Sequence, residues 1–430
     1  MKQTNVIVIG AGVAGLAAAT TLRATGRTVR VLEASDRAGG RAWTVPVAGK
    51  PFDLGATWLH DAARNPLAQI ARDRGANLID ADAVRARRLL VDGRPATRAD
   101  HCAYAAAADR FETLALAAAD IGDPALADAV APMADDPWLA TVETWEAAQI
   151  AAADARDFSV RDWRDNALEG ANLWLTEGIG AFCARVLAPM AGDIRFDTTV
   201  TGVQWDDGVT VSTNAGAFRA ASCIVTVSTG VLAAATIRFE PVLPHAIQAA
   251  IAGLPMGLLT KVAVEGNWPD RLGIAPSTSL RQRVAARYAP AMSFHCWPNG
   301  HDYIAGFVGG PTAWALARAG KDATCDFVRA RFAELLGADA AAGITRITVS
   351  GWGTDPLHLG AYCYARPGAA GARAVLGTPL AGGRLIFAGE ATRTDGLAGT
   401  VGGAWLAGVE AARLAAYGIG ISSASKSGPP

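Results

Sequence analysis

The sequence lacks the features typical of secreted, metal-binding, membrane-spanning and nucleic-acid-binding proteins. Its six cysteines are scattered and form no CxxC pair, so neither a disulfide framework nor a zinc site is predicted. The net charge of −1 offers little attraction to a polyanion, and we expect no nucleic-acid partner. No apolar run reaches the roughly 20 residues of a membrane span, and the first predicted strand leaves no room for a signal peptide. We therefore expect a cytoplasmic protein that does not bind membranes.

Length and composition favour a two-domain globular chain. The 430 residues exceed what one simple core usually holds, and 51% of them are hydrophobic against 18% charged. The C-terminal residues 419–430 end in small polar residues and proline, so we expect a disordered tail.

The first forty residues carry the clearest motif. An apolar, β-branched run precedes Gly10, Gly12 and Gly15, and an Ala- and Leu-rich run follows them. Strand, glycine turn and helix in this order predict a dinucleotide-binding unit, with the phosphates at the helix N-terminus. A second predicted strand ends at Glu33, where a carboxylate is needed for the ribose hydroxyls.

Two further glycine-containing segments follow. Gly39 and Gly40 stand directly before Arg41, which suits a second loop closing on a diphosphate. The run from Asp53 to His60 then contains a Leu-Gly-Ala-Thr segment.

Taken in order, these motifs resemble the flavin-containing amine oxidase family, which includes monoamine oxidases, polyamine oxidases and flavin-dependent histone demethylases. The resemblance continues in two later clusters: Trp352 with an Asp-Pro and Gly-x-Tyr segment, and an Ala-Gly-Glu run at Gly389 and Glu390. It implies an α/β fold, in which a Rossmann-like FAD-binding domain carries an inserted α+β substrate domain. We place the discontinuous FAD-binding domain at 1–75, 166–245 and 350–418, and the substrate domain at 76–165 and 246–349.

The resemblance also implies which residues hold the cofactor. A last helix that opens at Thr400 and Val401 would point its N-terminus at the flavin ring, where it stabilises the negative charge of the reduced form. The cofactor-binding residues predicted in this way are Gly10, Gly12, Ala14, Gly15, Glu33, Ala34, Gly39, Gly40, Arg41, Gly55, Ala56, Thr57, Val203, Trp352, Gly389, Glu390, Thr400 and Val401.

Lys261 is the predicted catalytic residue. It is an isolated cation in the otherwise apolar predicted strand 257–264, and a buried ammonium there needs a reason. In the family, the matching lysine holds a water against the flavin N5.

The predicted amine-binding region departs from the family. Many members carry an aromatic residue after the second fingerprint, as half of a cage for the amine, but residues 395–399 contain none. Tyr362 would form the other half, and His60 is a candidate substrate contact. The family's flavin-attachment cysteine falls at Ala361, not at Cys363, so we expect non-covalent FAD.

Several features are predicted to be structural. Trp138, Trp145 and Trp163 lie in helical patterns and are expected in the core or at an interface. The loose His295-Cys296 and His301-Asp302 set is expected to be a turn, and we predict no metal site.

The chemistry implied by the resemblance is oxidation of an amine C–N bond to an imine, with O2 reduced to H2O2. Polyamine-like or secondary amines are the first substrates expected. One alternative is a flavin-dependent desaturase or oxidase of an amino acid or cyclic compound. Another is a flavoprotein that binds an amine without turnover, which the presence of Lys261 disfavours. The sequence leaves the oligomeric state open.

Overall fold

The N-terminal fingerprint forms the strand, turn and helix that its sequence predicts. The computed structural model describes residues 4–424, with side chains described as far as residue 418. Strand Thr4–Ile9 is followed by helix Val13–Ala24 and strand Val29–Leu32. Both strands run parallel in one sheet, because the helix between them makes the crossover. Their C-terminal ends therefore lie side by side, where the glycine turn begins.

An eight-stranded sheet contains this unit. One long strand, Gly216–Val225, runs through it. Its first half pairs antiparallel with one neighbour and its second half pairs parallel with Thr4–Ile9. In the second half, the buried Ser222 hydroxyl donates to the carbonyl of Gly383. The strands lie in the order Ile194–Arg195, Val29–Leu32, Thr4–Ile9, Gly216–Val225, Val209–Thr213, Val200–Gln204 and Arg238–Glu240, and Leu385–Phe387 pairs beside Gly216–Val225.

The last helix packs against the first. Helix Val401–Ala424 extends into the predicted tail 419–430, and residues 425–430 of that tail lie outside the described residues. A Cβ at Gly408 would come within 2.0 Å of the Ala14 carbonyl oxygen, so the two helices touch through their backbones. This contact fixes the N-termini of both helices on the same side of the sheet.

A seven-stranded sheet forms the second layer. The lysine of strand Leu259–Gly266 lies opposite Phe307 of the neighbouring strand, and Phe307 lies opposite Ser293 of the next. These side chains share one face, because directly paired residues of antiparallel strands point the same way. The strands lie in the order Ile344–Val349, Leu259–Gly266, Ile304–Gly309, Ser293–Cys296, Thr278–Gln282, Ala86–Val91 and Arg94–Pro95.

Residues 98–165 form helices that pack on one side of this second sheet. Helix Arg98–Ile121 begins with a capping box formed by Thr97 and Asp100. The α-helix Leu139–Glu143 continues as a π-helix, Thr144–Ala151.

The remaining elements are short, apart from four helices of eight to sixteen residues. Among the described residues, no helix has both the length and the apolar character to cross a membrane. The predicted domain boundaries stay a prediction, although each large sheet draws its strands from separated parts of the chain. The other strands are Thr44–Val47, Lys50–Asp53, Trp58–Leu59, Leu78–Asp80, Leu173–Leu175, Met256–Gly257 and Tyr362–Cys363, and the other helices include Pro66–Asp73, Ala81–Val84, Leu126–Ala129, Val160–Asp165, Ile179–Phe182, Cys183–Leu187, Ala188–Ala191, Thr229–Ala233, His245–Gly253, Gly310–Ala319, Lys321–Leu336, Ala338–Ala342 and Ala372–Leu376.

Candidate active site

One cavity of about 1010 Å³ is lined by residues of both sheets. The wall includes Gly10 and Glu33, at the ends of the parallel strands of the first sheet. It also includes Lys261 and Arg281 of the second sheet and Trp163 of helix Val160–Asp165. The predicted cofactor and substrate regions are therefore parts of one continuous space.

The glycines of the fingerprint shape the first part of this wall. Gly10 has φ +99°, in the range that favours glycine. A Cβ at Gly15 would lie 1.9 Å from the Gly10 carbonyl oxygen, so the helix can approach the turn only without a side chain. A Cβ at Gly12 would meet no atom within 4 Å, and a side chain there would project into free space at the cavity wall. This open glycine cradle at a helix N-terminus fits a pyrophosphate.

The second glycine loop touches the first. The amide of Gly39 donates to the Ala11 carbonyl, and a Cβ at Gly40 would lie 3.1 Å from the Cα of Gly12. The buried Glu33 accepts the Ala11 amide at 2.6 Å through one carboxylate oxygen. Its other oxygen accepts the Ser35 amide and hydroxyl, so the carboxylate is held in place at the cavity wall.

An ion pair connects this loop to the second fingerprint. Nη1 of Arg41 lies 2.8 Å from Oε1 of Glu390, and it also donates to the Ala361 carbonyl. Glu390 accepts the Cys363 amide at 3.2 Å and lies 3.3 Å from its sulfur. Burial raises the pKa of the Cys363 thiol, so the thiolate that a covalent flavin link would need is disfavoured.

Most of the predicted cofactor residues line the cavity. Thr400 accepts the Gly403 amide with its hydroxyl and so caps the start of the last helix. The indole of Trp352 donates to the Leu54 carbonyl at 2.8 Å. The predicted residues found in the wall are Gly10, Gly12, Ala14, Glu33, Ala34, Gly39, Gly40, Arg41, Gly55, Ala56, Thr57, Trp352, Gly389, Glu390, Thr400 and Val401.

Val203 is not part of the wall, which corrects the sequence interpretation. Its side chain is buried in the apolar core of the first sheet, among residues such as Val211 and Val225. Val200, three residues earlier at the start of the same strand, lines the cavity instead. A register shift between Val200 and Gly202 alters the alternation of the strand, and the sequence contains no signal for it.

Lys261 stands in the cavity wall between the two layers. Its Nζ contacts the Gly55 carbonyl oxygen and the Thr57 hydroxyl, and lies 5.3 Å from the ring centre of Trp58 and 5.7 Å from that of Phe307. Burial lowers the pKa of Lys261 to about 8, although the charge of nearby Asp53 opposes the change. The predicted catalytic lysine is thus a buried amine whose charge state changes at a mildly alkaline pH.

His60 also lines the cavity. Its Nδ1 lies 2.6 Å from Oδ1 of Asn172, and the Asn172 amide nitrogen donates to Asp82. Because a carboxamide oxygen only accepts, Nδ1 carries the proton and Nε2 is left as an acceptor. Burial lowers the pKa of His60, which favours this neutral form.

Tyr362 lies where the predicted cage would be. Its hydroxyl donates to the Ile150 carbonyl at 2.7 Å, which fixes the ring beside the cavity. A Cβ at Gly399 would lie 3.7 Å from the Tyr362 ring, so the segment at Ala398 and Gly399, which also lines the cavity, brings only small residues to this ring.

The helical tryptophans divide between core and cavity. Trp138 is buried in the core, as predicted, but Trp145 and Trp163 line the cavity, which corrects the sequence interpretation. His295 also lines it, with a pKa lowered by burial to about 4. Among the described residues no group of His, Cys, Asp or Glu could hold a metal ion.

Sequence reasoning missed two charged residues of the cavity wall, Glu146 and Arg281. Glu146 accepts the Trp163 indole N–H at 3.0 Å, and burial raises the pKa of its carboxyl. Arg281 stacks on Trp145, with its guanidinium carbon 3.0 Å from the ring centre. The helical spacing of Trp145, Glu146 and Gln149 puts them on one side of the π-helix, but only the fold shows that this side faces a cavity.

Comparison with known proteins agrees with this geometry. The family model "Flavin containing amine oxidoreductase" matches residues 13–112 and 112–416. "Probable polyamine oxidase 4" of Arabidopsis thaliana is 30% identical over 96% of this chain and 86% of its own length. "Polyamine oxidase 4" of Oryza sativa subsp. japonica is 30% identical over 95% of this chain and 88% of its own length. "Lysine-specific histone demethylase 1 homolog 2" of Arabidopsis thaliana is 28% identical over 95% of this chain and 58% of its own length.

Solved structures share the fold. Wild-type putrescine oxidase bound to putrescine aligns with a TM-score of 0.75 at 22% identity, covering 96% of this chain and 98% of that one. The glycine cradle, the fixed Glu33 and the helix N-terminus at Val401 fit FAD, so the predicted fold class and cofactor are confirmed. The chain belongs to the flavin-containing amine oxidoreductase family and is an FAD-dependent enzyme that oxidises amines.

Proposed function

We propose that this enzyme oxidises the C–N bond of a polyamine-like or secondary amine to an imine and passes the electrons to O2, giving H2O2. The observation that carries the proposal is the position of Lys261, in the wall of the same cavity that the glycine cradle opens into. Relatives named polyamine oxidases support the substrate class. FAD, when bound, supplies the two-electron oxidation of the amine carbon.

The residues of the chain then position the substrate and exclude water. Lys261, held at the Thr57 hydroxyl, would supply a fixed cation to the negative charge that develops during oxygen reduction, and such a cation lowers that barrier without reorganisation. The aromatic rings of Tyr362, Trp58 and Phe307 would surround the reacting amine. His60, held neutral by Asn172, offers Nε2 as an acceptor to a substrate N–H.

We also propose that FAD is held without a covalent bond. Ala361 occupies the position of the family's attachment cysteine, and the Cys363 thiol lies against Glu390. Acid precipitation should leave all yellow colour in the supernatant. Flavin that stays with the pellet would contradict the proposal and point to Cys363.

An amine panel tests the function. Purified holoenzyme is mixed in air with diamines, polyamines, N-alkylated amines, amino acids and cyclic substrates, and peroxide release is measured. We expect peroxide with the polyamine-like or secondary amines. Reduction of the flavin without peroxide would assign the electrons to an acceptor other than O2, and reduction only by an α-amino acid or a cyclic compound would refute the substrate class.

A further inference from the structure

The far end of the cavity carries a guanidinium that forms no ion pair. Among the described residues, the Arg281 side chain has no hydrogen bond and no carboxylate within ion-pairing distance; it stacks on the ring of Trp145, and Glu146 and Tyr104 are the opposing groups near it. Stacking on a ring occupies a face of the guanidinium and leaves its N–H groups free at the edge. The guanidinium is half-buried and lines the cavity, so its unused donors are available to a ligand that supplies acceptors.

Arg281 and Lys261 stand in the same row of the second sheet. Lys261 pairs with Phe307 and Phe307 with Ser293, and the register of Leu280 with Phe294 places Arg281 opposite Ser293. The four side chains of this row, Lys261, Phe307, Ser293 and Arg281, line the cavity. Three strand spacings of about 4.8 Å separate the two ends of the row, so the Cα atoms of Lys261 and Arg281 lie roughly 14 Å apart.

Arg85 and Glu146 are the other charged side chains of the cavity wall that act on Arg281. Arg85 also lines the wall, 3.7 Å from Asp82 and over the ring of Trp58. Glu146 is the acid that faces Arg281, but its carboxylate already accepts the Trp163 indole N–H. Ser293 and Gln149, which are hydrogen-bonded to each other, add neutral polar groups beside the guanidinium.

We propose that Arg281 binds a carboxylate at the far end of the substrate, so that the preferred substrates are amines carrying a carboxylate several carbons away from the oxidised C–N bond. The inference rests on the proposed amine oxidation and adds a binding site to it. The distance from Lys261 separates this site from the carboxylate of an α-amino acid, which would lie directly beside the reacting carbon. The planar guanidinium, held flat by Trp145, matches a carboxylate through two parallel hydrogen bonds.

The test compares three linear amines of one chain length with the holoenzyme. Octylamine has no second charged group, diaminooctane has a second ammonium, and aminooctanoate with its amine on the terminal carbon has a carboxylate. We expect kcat/KM to be highest for aminooctanoate, by about ten- to a hundredfold over octylamine, as one charge-assisted hydrogen bond or more would give. A preference for diaminooctane would overturn the proposal and assign the far end to Glu146.

Variants then assign the effect to one residue. Arg281→Met should lower kcat/KM for aminooctanoate, relative to that for octylamine, by about the same ten- to a hundredfold, mainly through KM. Arg87→Met is the matched control, because Arg87 is exposed on the neighbouring strand and is not in the cavity wall. Arg281→Gln keeps a polar side chain and serves if the Met variant does not fold. Equal losses in the Arg281 and Arg87 variants would reduce the effect to general charge and refute the site.

A binding experiment separates this inference from the proposed oxidation. Octanoate has no amine to oxidise, and its binding is followed as a change in the flavin absorbance of the holoenzyme. Saturable binding that Arg281→Met weakens about tenfold or more supports the site even if no amine is turned over. Octanoate binding that is equal in wild type and both Arg281 variants would refute it, whatever the amine panel shows.

Discussion

Replacing Lys261 by methionine removes one charge from the cavity and leaves its shape nearly unchanged. In the wild type, Nζ contacts the Gly55 carbonyl and the Thr57 hydroxyl and lies 5.3 Å from the ring of Trp58. Burial lowers the pKa of Lys261, so the fold bears a cost for the charged form, and an apolar side chain of similar length suits the same strand. We therefore expect Lys261→Met to fold and to bind FAD.

The expected loss is in the rate. One preorganised electrostatic contact to a developing charge is worth about 2.7–4 kcal/mol, or roughly a hundred- to a thousandfold. Flavin absorbance in a stopped-flow instrument measures anaerobic reduction by the amine and aerobic reoxidation separately. We expect the loss in reoxidation, in reduction, or in both.

The control is Lys321→Met, because Lys321 is exposed at the start of a helix far from the cavity wall. It removes the same charge from the protein and should leave both half-reactions unchanged. If both half-reactions of Lys261→Met match the wild type within about twofold, Lys261 is only a strand residue and the catalytic assignment is wrong.

Three further predictions concern pH, the cofactor and stability. The Lys261 amine is charged below its pKa of about 8 and loses that charge as the pH rises through it, so wild-type reoxidation should slow above pH 8, and Lys261→Met should show no such step in stopped-flow traces. Glu33→Ala should weaken FAD binding about tenfold or more in a fluorescence titration, because one or two charge-assisted hydrogen bonds of about 1.5–3 kcal/mol each are lost; unchanged affinity would place the ribose elsewhere. Asp162→Ala should lower the free energy of unfolding by about 3–5 kcal/mol in urea, since Arg373, whose Nε lies 2.7 Å from the Asp162 carboxylate, would stay buried without its partner; a loss below about 1 kcal/mol would contradict this reasoning.

The cofactor half of the protein could be predicted because its requirements are local. A turn with positive φ, as at Gly10, and a close backbone approach, as at Gly15, require glycine in the sequence wherever the chain folds in this way. The acid at Glu33 follows from the length of one strand–helix–strand unit. Neighbours along the chain decide these features, so the printed sequence contains them.

The far end of the cavity could not be predicted in the same way. Trp145 and Arg281 are 3.0 Å apart in space but belong to a π-helix and to a strand separated by more than a hundred residues. A tryptophan in a helical pattern has the same local signal whether it faces a core, as Trp138 does, or a cavity, as Trp145 does. The sequence by itself determined the cofactor, the family and the catalytic lysine as a candidate, because these depend on short motifs. Only the tertiary structure decided which charges line the cavity, because the pairing of distant strands and helices places them in one space.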